Sequence, residues 1–451
     1  MSNSRRRAFP MNAVLLALIA VLAPAANARG QAMSSDGARP ITLDDAVRLA
    51  QRNAPAAVQA RGQERQSRAN VRGAYAAFIP NITASLGRQQ QFLGDGVGTR
   101  TNAAGERVEL ANDPTYNSGL AFSVDLFDGG RRFYELSAAR AGVGAADATA
   151  LAQQFTVALS VNEQYFNALA ARESQAAARA QLEQAQQQFR ASVARVAAGV
   201  ATMSDSLRSV IQVGNARLAL LTAENELRSA NAALTRLVGS ETIVTADPAD
   251  TLPGATAATI DSAELSALAL RGPAVRQAEA NLAAARVQRR SARAPYLPSI
   301  SASYSRNGNG FGRFGLGDNS YAYNGSLSFR LSYPLFNQLT REVQVVRADI
   351  AEDVAEAQAR DARLLATQTL TQTLGAVRTA QERVEIQQSS VAAAVEDLRV
   401  QQQRYAVGAS TLLDVLTSQT QLNQARSALI GARYDLRVAR AQIEALVGRR
   451  L

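Results

Sequence analysis

The chain has 451 residues, a formal net charge of +10 and neither His nor Cys. Zinc sites, cysteine nucleophiles, Ser-His triads, disulfides and a lipidated N-terminal cysteine are therefore excluded. All 48 basic residues are Arg, and beyond Arg5, Arg6 and Arg7 they alternate with Glu, Asp and Gln instead of forming a stripe with aromatics, which argues against a nucleic-acid partner.

In chain order, Arg5-Arg6-Arg7, the apolar run from Val14 to Leu22 and Ala26-Asn27-Ala28 form an export signal over residues 1–28, with Arg29 as the first mature residue. The alternative is an uncleaved anchor, but the run falls short of the roughly 20 apolar residues that span a bilayer. No later stretch reaches that length. A membrane location therefore requires a β-barrel.

Residues 29–40 read as a polar lead. Thr42 and Asp45 form a capping box that opens a helix, broken at Pro55 and resumed; Asp261 and Glu264, then Pro273, repeat the arrangement later. Strands follow at about 81–91 and 117–127, and again at about 299–306 and 323–333. Leu120, Phe122, Val124 and Leu126 alternate with Ala121, Ser123 and Asp125, as do Leu327, Phe329, Leu331 and Tyr333 with Ser328, Arg330 and Ser332. This period of two gives one apolar and one polar face. The Gly-rich tracts Gly94–Pro114 and Asn307–Ser320 read as loops between paired strands.

No proline lies between Pro114 and Pro248 or after Pro334, which permits long helices. They are expected at about Phe133–Ala198 and Arg341–Val407, each roughly 100 Å long at 1.5 Å per residue. Such helices need a coiled-coil-like partner. In the second, Leu370, Leu374, Val377, Val384, Val391, Val395 and Leu398, with Gln381 and Gln388, form a 3-4 seam; Leu151, Phe155, Asn162, Phe166 and Leu169 do so in the first. Gly199 and Gly408 end these helices in left-handed turns. Thr202 and Thr411 cap the return helices, about Met203–Val238 and Leu412–Val447, with Asp205 and Asp414 at the third helical position.

The chain therefore states its plan twice. Phe78-Ile79-Pro80-Asn81-Ile82 returns as Tyr296-Leu297-Pro298-Ser299-Ile300, Leu126-Phe127-Asp128 as Leu335-Phe336-Asn337, and Val238-Gly239 as Val447-Gly448. The first repeat covers 29–238, with a helical hairpin at about 133–238. Residues 239–258 link it to the second repeat, 259–451, with a hairpin at about 341–447. The predicted fold class is mostly α with a membrane β-barrel, built from duplicated helix-strand-strand-long helix-helix halves. Four strands cannot close a barrel, and an open edge is not tolerated in lipid. Copies must combine: two give eight strands, whose interior side chains fill, and three give twelve, which begin to leave a channel.

The residues Arg404-Tyr405-Ala406-Val407-Gly408-Ala409-Ser410-Thr411-Leu412-Leu413-Asp414-Val415-Leu416, their weaker counterpart Arg195–Leu207, and the opening Ile41–Ala50 resemble the TolC family of outer-membrane channels. The resemblance covers nearly all of residues 41–448. It implies a homotrimer in the outer membrane of a Gram-negative-type bacterium, with a twelve-stranded β-barrel in lipid and a twelve-helix α-barrel extending through the periplasm. It implies a passive exit duct of a tripartite efflux pump or type I secretion system, not an enzyme, with no cofactor. A periplasmic adaptor and an inner-membrane transporter, RND-type or ABC-type, would dock at the closed periplasmic tip, where Gly199, Thr202, Gly408 and Thr411 are the docking candidates.

The family closes its tip with acidic rings and polar links between helices. Asp414 matches one ring position, and Thr417 stands where some relatives carry a second aspartate. Ser410 stands where some carry an arginine that pairs across to the aspartate matched here by Asp205; Tyr405 matches a tyrosine of the same network. Asp205 and Asp414 remain open to a second reading as helix caps alone, and Tyr405 to one as packing. Two other functions share parts of this pattern: a periplasmic adaptor, which usually carries one hairpin between β-rich modules, and a coiled-coil structural protein without a pore. No paired-carboxylate site is evident on strand ends, and Gly308-Asn309-Gly310-Phe311-Gly312 precedes no helix, so it is not a phosphate loop.

Overall fold

The computed structural model describes residues 38–90, 99–101, 107–109, 114–250, 262–311 and 321–449. The export-signal reading of residues 1–28 and the cap at Asp261 lie outside them. Arg39–Leu451 forms one compact unit, and of the other, Met1–Ala38, only Ala38 is described.

The chain opens with β1 (Arg39–Ile41), α1 (Leu43–Asn53) and α2 (Pro55–Ala76). Thr42 caps α1, its hydroxyl accepting from Asp45 N and donating to Asp45 Oδ2. Pro55 sits at the first position of α2, where its missing N–H costs nothing. Then come β2 (Asn81–Gln89), β3 (Thr99–Thr101), β4 (Arg107–Glu109), β5 (Thr115–Asp128), α3 (Arg131–Ala197) and α4 (Met203–Val238). β6 (Val244–Ala246) precedes the second half: α5 (Ser262–Ala269), α6 (Pro273–Ala292), β7 (Ser299–Phe311), β8 (Tyr321–Ser332), α7 (Thr340–Ala406) and α8 (Leu412–Val447). α3 and α7 have 67 residues each, and α4 and α8 have 36 each. These equal lengths are what a duplication predicts.

The four long strands form one antiparallel sheet in the order β2-β5-β7-β8. The two halves meet at its centre, where β5 pairs with β7. Within the chain, β2 and β8 are its edges. Register separates two faces. One carries Ile82, Phe122, Tyr304 and Leu327 in a single row, flanked by a row with Val124, Ala302 and Phe329. The other carries Thr83, Ala121, Ser305 and Ser326 in one row and Asn81, Ser123, Ser303 and Ser328 in the next. There, Ser303 and Ser328 hydroxyls lie 2.8 Å apart and those of Ser305 and Ser326 2.9 Å.

Four expectations need correction. The polar lead ends in β1, and the linker contains β6; the two pair in parallel, Arg39 with Val244 through Ile41 with Ala246. Three residues carry too little pattern to read as a strand. The tract Gly94–Pro114, expected as loop, includes the β3–β4 pair. β7 runs to Phe311, five residues past the expected end at 306. Its Asn307-Gly308-Asn309-Gly310 segment resembles a turn, but β5 and β8 pair with it on both sides, and Gly308 and Gly310 are buried beside Tyr116 and Tyr323. Finally, the seam of α7 runs through Ala380 and Ala394 instead of Gln381 and Val395; Val395 is exposed. Alanine lets α8 approach closely, which turns the larger residue away.

The main core lies where α1, α3 and α4 surround β1 and β6. It includes Ile41, Val47, Val161, Tyr165, Leu234, Val238 and Val244. A smaller cluster of Leu265, Ala269, Leu370, Ile443 and Val447 serves the second half. At the α3 entrance, Gly129 and Gly130 adopt positive φ; at the equivalent entrance to α7, Gln338 and Leu339 do so at φ 57° and 59°. The second half thus holds strain that the first avoids.

Tyr165 ties the core together. Its hydroxyl accepts from Asp247 N at 3.1 Å and lies 3.1 Å from the Ile41 carbonyl and 2.5 Å from Asp250 Oδ2. Its single proton serves one acceptor at a time, and the nearer, charged carboxylate is favoured. Burial first, then the Asp250 carboxylate, pushes the phenol's pKa up, so it stays a donor. Tyr165→Phe leaves both the Asp247 N–H and Asp250 without this partner. The expected cost is about 1–3 kcal/mol, measured as a lower thermal midpoint in mild detergent.

Candidate functional site

Each long helix ends in the same way. At the end of α3, Gly199 has φ 74°, Gly199 N donates to Val196 O and Val200 N to Arg195 O. At the end of α7, Gly408 has φ 78°, with Gly408 N donating to Tyr405 O and Ala409 N to Arg404 O. These paired bonds form the turn that satisfies the last carbonyls of a helix and needs a left-handed residue, hence glycine.

The next helices start with complete capping boxes. Thr411 N and Oγ1 each donate to Asp414 Oδ2 at 2.8 Å, and Asp414 N donates to Thr411 Oγ1 at 3.3 Å. At Asp205, Thr202 N and Oγ1 donate at 3.2 and 2.9 Å. The backbone N–H of Thr411, then its hydroxyl, holds the Asp414 carboxyl below the usual carboxylate range, assisted by Arg404. That stabilisation is complete at neutral pH and is lost as the pH falls through the depressed value. The four turn residues proposed for docking, Gly199, Thr202, Gly408 and Thr411, thus each have a local structural task.

Within one chain, no hydrogen bond joins Tyr405 to Asp205. The bonds of Asp205 stay within α4 and its cap, to Thr202. Tyr405 instead packs beside the buried cluster of Leu398, Val415 and Leu422. The Arg195 guanidinium lies over its ring, 4.5 Å from the centroid, and Arg195 Nη1 donates to the Tyr405 carbonyl at 3.2 Å. That carbonyl belongs to the last turn of α7, the negative end of its dipole. The first hairpin thus holds the second through Arg195. Ser410 donates to Gln401 O at 3.3 Å and Thr417 to Leu413 O at 2.9 Å, so both are turned to their own hairpin.

The sequence pattern assigns Arg195 no role of its own beyond its place in the Arg195–Leu207 segment. A signal existed: it lies four residues before Gly199, as Arg404 does before Gly408. Arg404 donates to Ala409 O at 3.4 Å in its own turn, while Arg195 reaches the neighbouring hairpin. The tips also expose apolar side chains, including Val200, Met203 and Leu207 on the first hairpin and Val407 and Leu413 on the second. Among the described residues no helix is long and apolar enough to cross a membrane.

Arg195→Gln removes both the cation over the ring and the charged donor. A loss of about 1 kcal/mol should raise hydrogen exchange of tip amides about fivefold, read by mass spectrometry. Tyr405→Phe should leave exchange unchanged, because the buried Tyr405 hydroxyl has no partner among the described residues.

The profile of the family described as outer membrane efflux protein matches residues 46–240 and 265–449. The pyoverdine export outer membrane protein OpmQ of Pseudomonas aeruginosa is 29% identical over 406 residues, covering 89% of this chain and 82% of that one. Protein CyaE of Bordetella pertussis is 29% identical over 326 residues, covering 70% and 65%. Among solved structures, the outer membrane protein VceC of Vibrio cholerae superposes with a TM-score of 0.71 at 19% identity, covering 90% of this chain and 96% of that one. The matched segments include both helical hairpins, which sets aside the adaptor and the pore-less rod.

Proposed function

This chain belongs to the outer membrane efflux protein family, and from that premise we propose that three copies close one passive channel through the outer membrane. The observation that carries the proposal is the four-stranded sheet, apolar on one face, serine- and asparagine-rich on the other, with β2 and β8 as its two edges. Three such sheets side by side make twelve strands, wide enough to leave a lumen. The apolar face then meets lipid and the polar face lines the duct. Aromatic residues flank the apolar rows: Tyr116 and Tyr323 near the strand ends farthest from the helices, and Phe133, Tyr333 and Phe336 near the helices. Such girdles mark the two interfaces of a membrane barrel.

Below the membrane, α3, α4, α7 and α8 of three copies supply a twelve-helix tunnel. Exposed Met203, Leu207, Ile211, Leu218 and Leu221 follow one face of α4, a seam suited to a neighbouring copy. At the far end, the exposed apolar tips suit a periplasmic adaptor, through which an inner-membrane transporter of RND or ABC type would deliver its cargo. Gly199, Thr202, Gly408 and Thr411 shape that docking surface. The chain performs no chemistry in this role.

Asp414 supplies the selectivity of the closed tip in this reading. Its known bonds all fall on Oδ2, and threefold symmetry brings three copies around one axis. A ring of like charge in a narrow opening favours cations and repels anions. Tyr405 and Arg195 hold the hairpins that carry the ring; Asp205, Ser410 and Thr417 shape its surroundings. Asp414→Asn keeps the cap, since Asn also caps, and should reduce cation preference in planar-bilayer recordings. Unchanged conductance and selectivity would show that the residue is a cap only.

The two sheet faces predict different tolerances. Phe329→Arg should cost about 2–4 kcal/mol if it lies near the bilayer midplane, whereas Ser328→Arg on the lumen face should cost little. Urea titration of the protein folded into vesicles measures both. Equal losses at the two positions would refute the assignment of faces.

A further inference from the structure

Among the described residues, the apolar face of the sheet carries two cations, Arg88 and Arg306. Arg306 shares a row with Ala84, Leu120 and Gly325. Arg88 lies two rows farther from the helices, opposite Tyr116. Both are exposed. A cation on a lipid-facing wall is costly unless it reaches the interface or meets an anion, and an ionisable group there marks a functional site by default.

The local geometry sends both cations outward from the apolar rows. Gly325, directly across from Arg306, has no side chain of its own, so the edge of Tyr304 reaches the space beside it, and the Arg306 guanidinium lies over the Tyr323 ring, 4.9 Å from its centroid. The Arg88 guanidinium lies 5.9 Å from the Tyr116 ring centroid and donates to Gln90 Oε1 at 3.0 Å. Among the described residues, no Asp or Glu shares this face of β2, β7 or β8, and Asp125 of β5 lies on the opposite one. Each guanidinium is therefore oriented by an aromatic ring at the outer interface, with no carboxylate beside it among the described residues.

Closure of the barrel brings the two sites together. With β8 of one copy beside β2 of the next, Arg306 of β7 stands two strands from Arg88 of the neighbour, about 10 Å measured across the strands. Tyr323 lies between them. That is a site for an anionic headgroup with more than one phosphate, approached from the surrounding lipid.

We propose that Arg88 and Arg306 bind the phosphates of an outer-leaflet glycolipid at each subunit boundary, with Tyr116 and Tyr323 holding the guanidinium groups in place. This rests on the outward orientation of the apolar face and on the trimer proposed above.

The test uses the full-length protein in mild detergent with diphosphoryl lipid A as probe, and native mass spectrometry to read the protein mass and the lipid retained. The wild type should retain lipid A at the mass of three chains and prefer it to phosphatidylethanolamine. Arg88→Gln and Arg306→Gln should each weaken retention about fivefold, and the double variant about 25-fold, at roughly 1 kcal/mol per cation near a charged surface. Arg330→Gln, on the lumen face, should change nothing. Equal retention by wild type and the double variant, at a three-chain mass, would overturn this site while leaving the channel intact. A protein mass other than three chains would overturn the barrel reading and this site with it.

Discussion

An apolar sheet face with two unpaired edges is a condition that no isolated chain can satisfy in lipid. Every backbone N–H and C=O at an edge needs a partner where water is absent. Within the chain the central pairings are made, β5 with β7 across the duplication and each half's own pair on either side. What is left is the outer edge of β2 and the outer edge of β8. One belongs to the first half and the other to the second, so identical copies can join head to tail around a ring. In the proposed channel the helices continue that ring and the tips narrow it.

The duplication is not a perfect copy, and the departures lie where the halves have different tasks. The first half holds the larger core, centred on Tyr165 and its bonds to the β1–β6 region. The second half reaches the equivalent helix entrance with Gln338 and Leu339 in a left-handed conformation where the first uses glycines. At the tips, two arginines at equivalent positions act differently: Arg404 closes its own turn, and Arg195 crosses to the Tyr405 carbonyl and ring. Symmetric sequence thus yields an asymmetric contact, because only one of the two hairpins presents an aromatic residue to the other.

Much of this was legible in the sequence wherever local physics dictates the outcome. Glycine at 199 and 408, threonine and aspartate three residues apart, and strict alternation through Leu327, Phe329 and Leu331 each admit few backbone conformations. Less legible were features set by tertiary partners. β1 and β6 are three residues each and form only because they find one another. The Asn-Gly run in β7 has turn chemistry, overridden by strands on both sides. A shift of the α7 seam by one residue, from Val395 to Ala394, depends on how close α8 can come. The Arg195–Tyr405 contact joins residues far apart in the chain, which no local pattern announces. The roles of Asp414 and Asp205 divide similarly: their caps are local and visible in one chain, whereas the proposed charged ring requires the assembly.

Edge-to-edge closure is the central claim, and the absence of cysteine from the chain makes it directly measurable. Thr83→Cys on β2 can be combined in turn with cysteine at Ser326, Ser328 or Arg330 on β8, all on the polar face. Oxidation in native membranes, followed by denaturing electrophoresis, reads which chains are joined. The account predicts that at least one pair gives a covalent ladder ending at three chains, with β2 of each copy joined to β8 of the next. Monomers alone across the series, or a ladder ending at two chains, would contradict it.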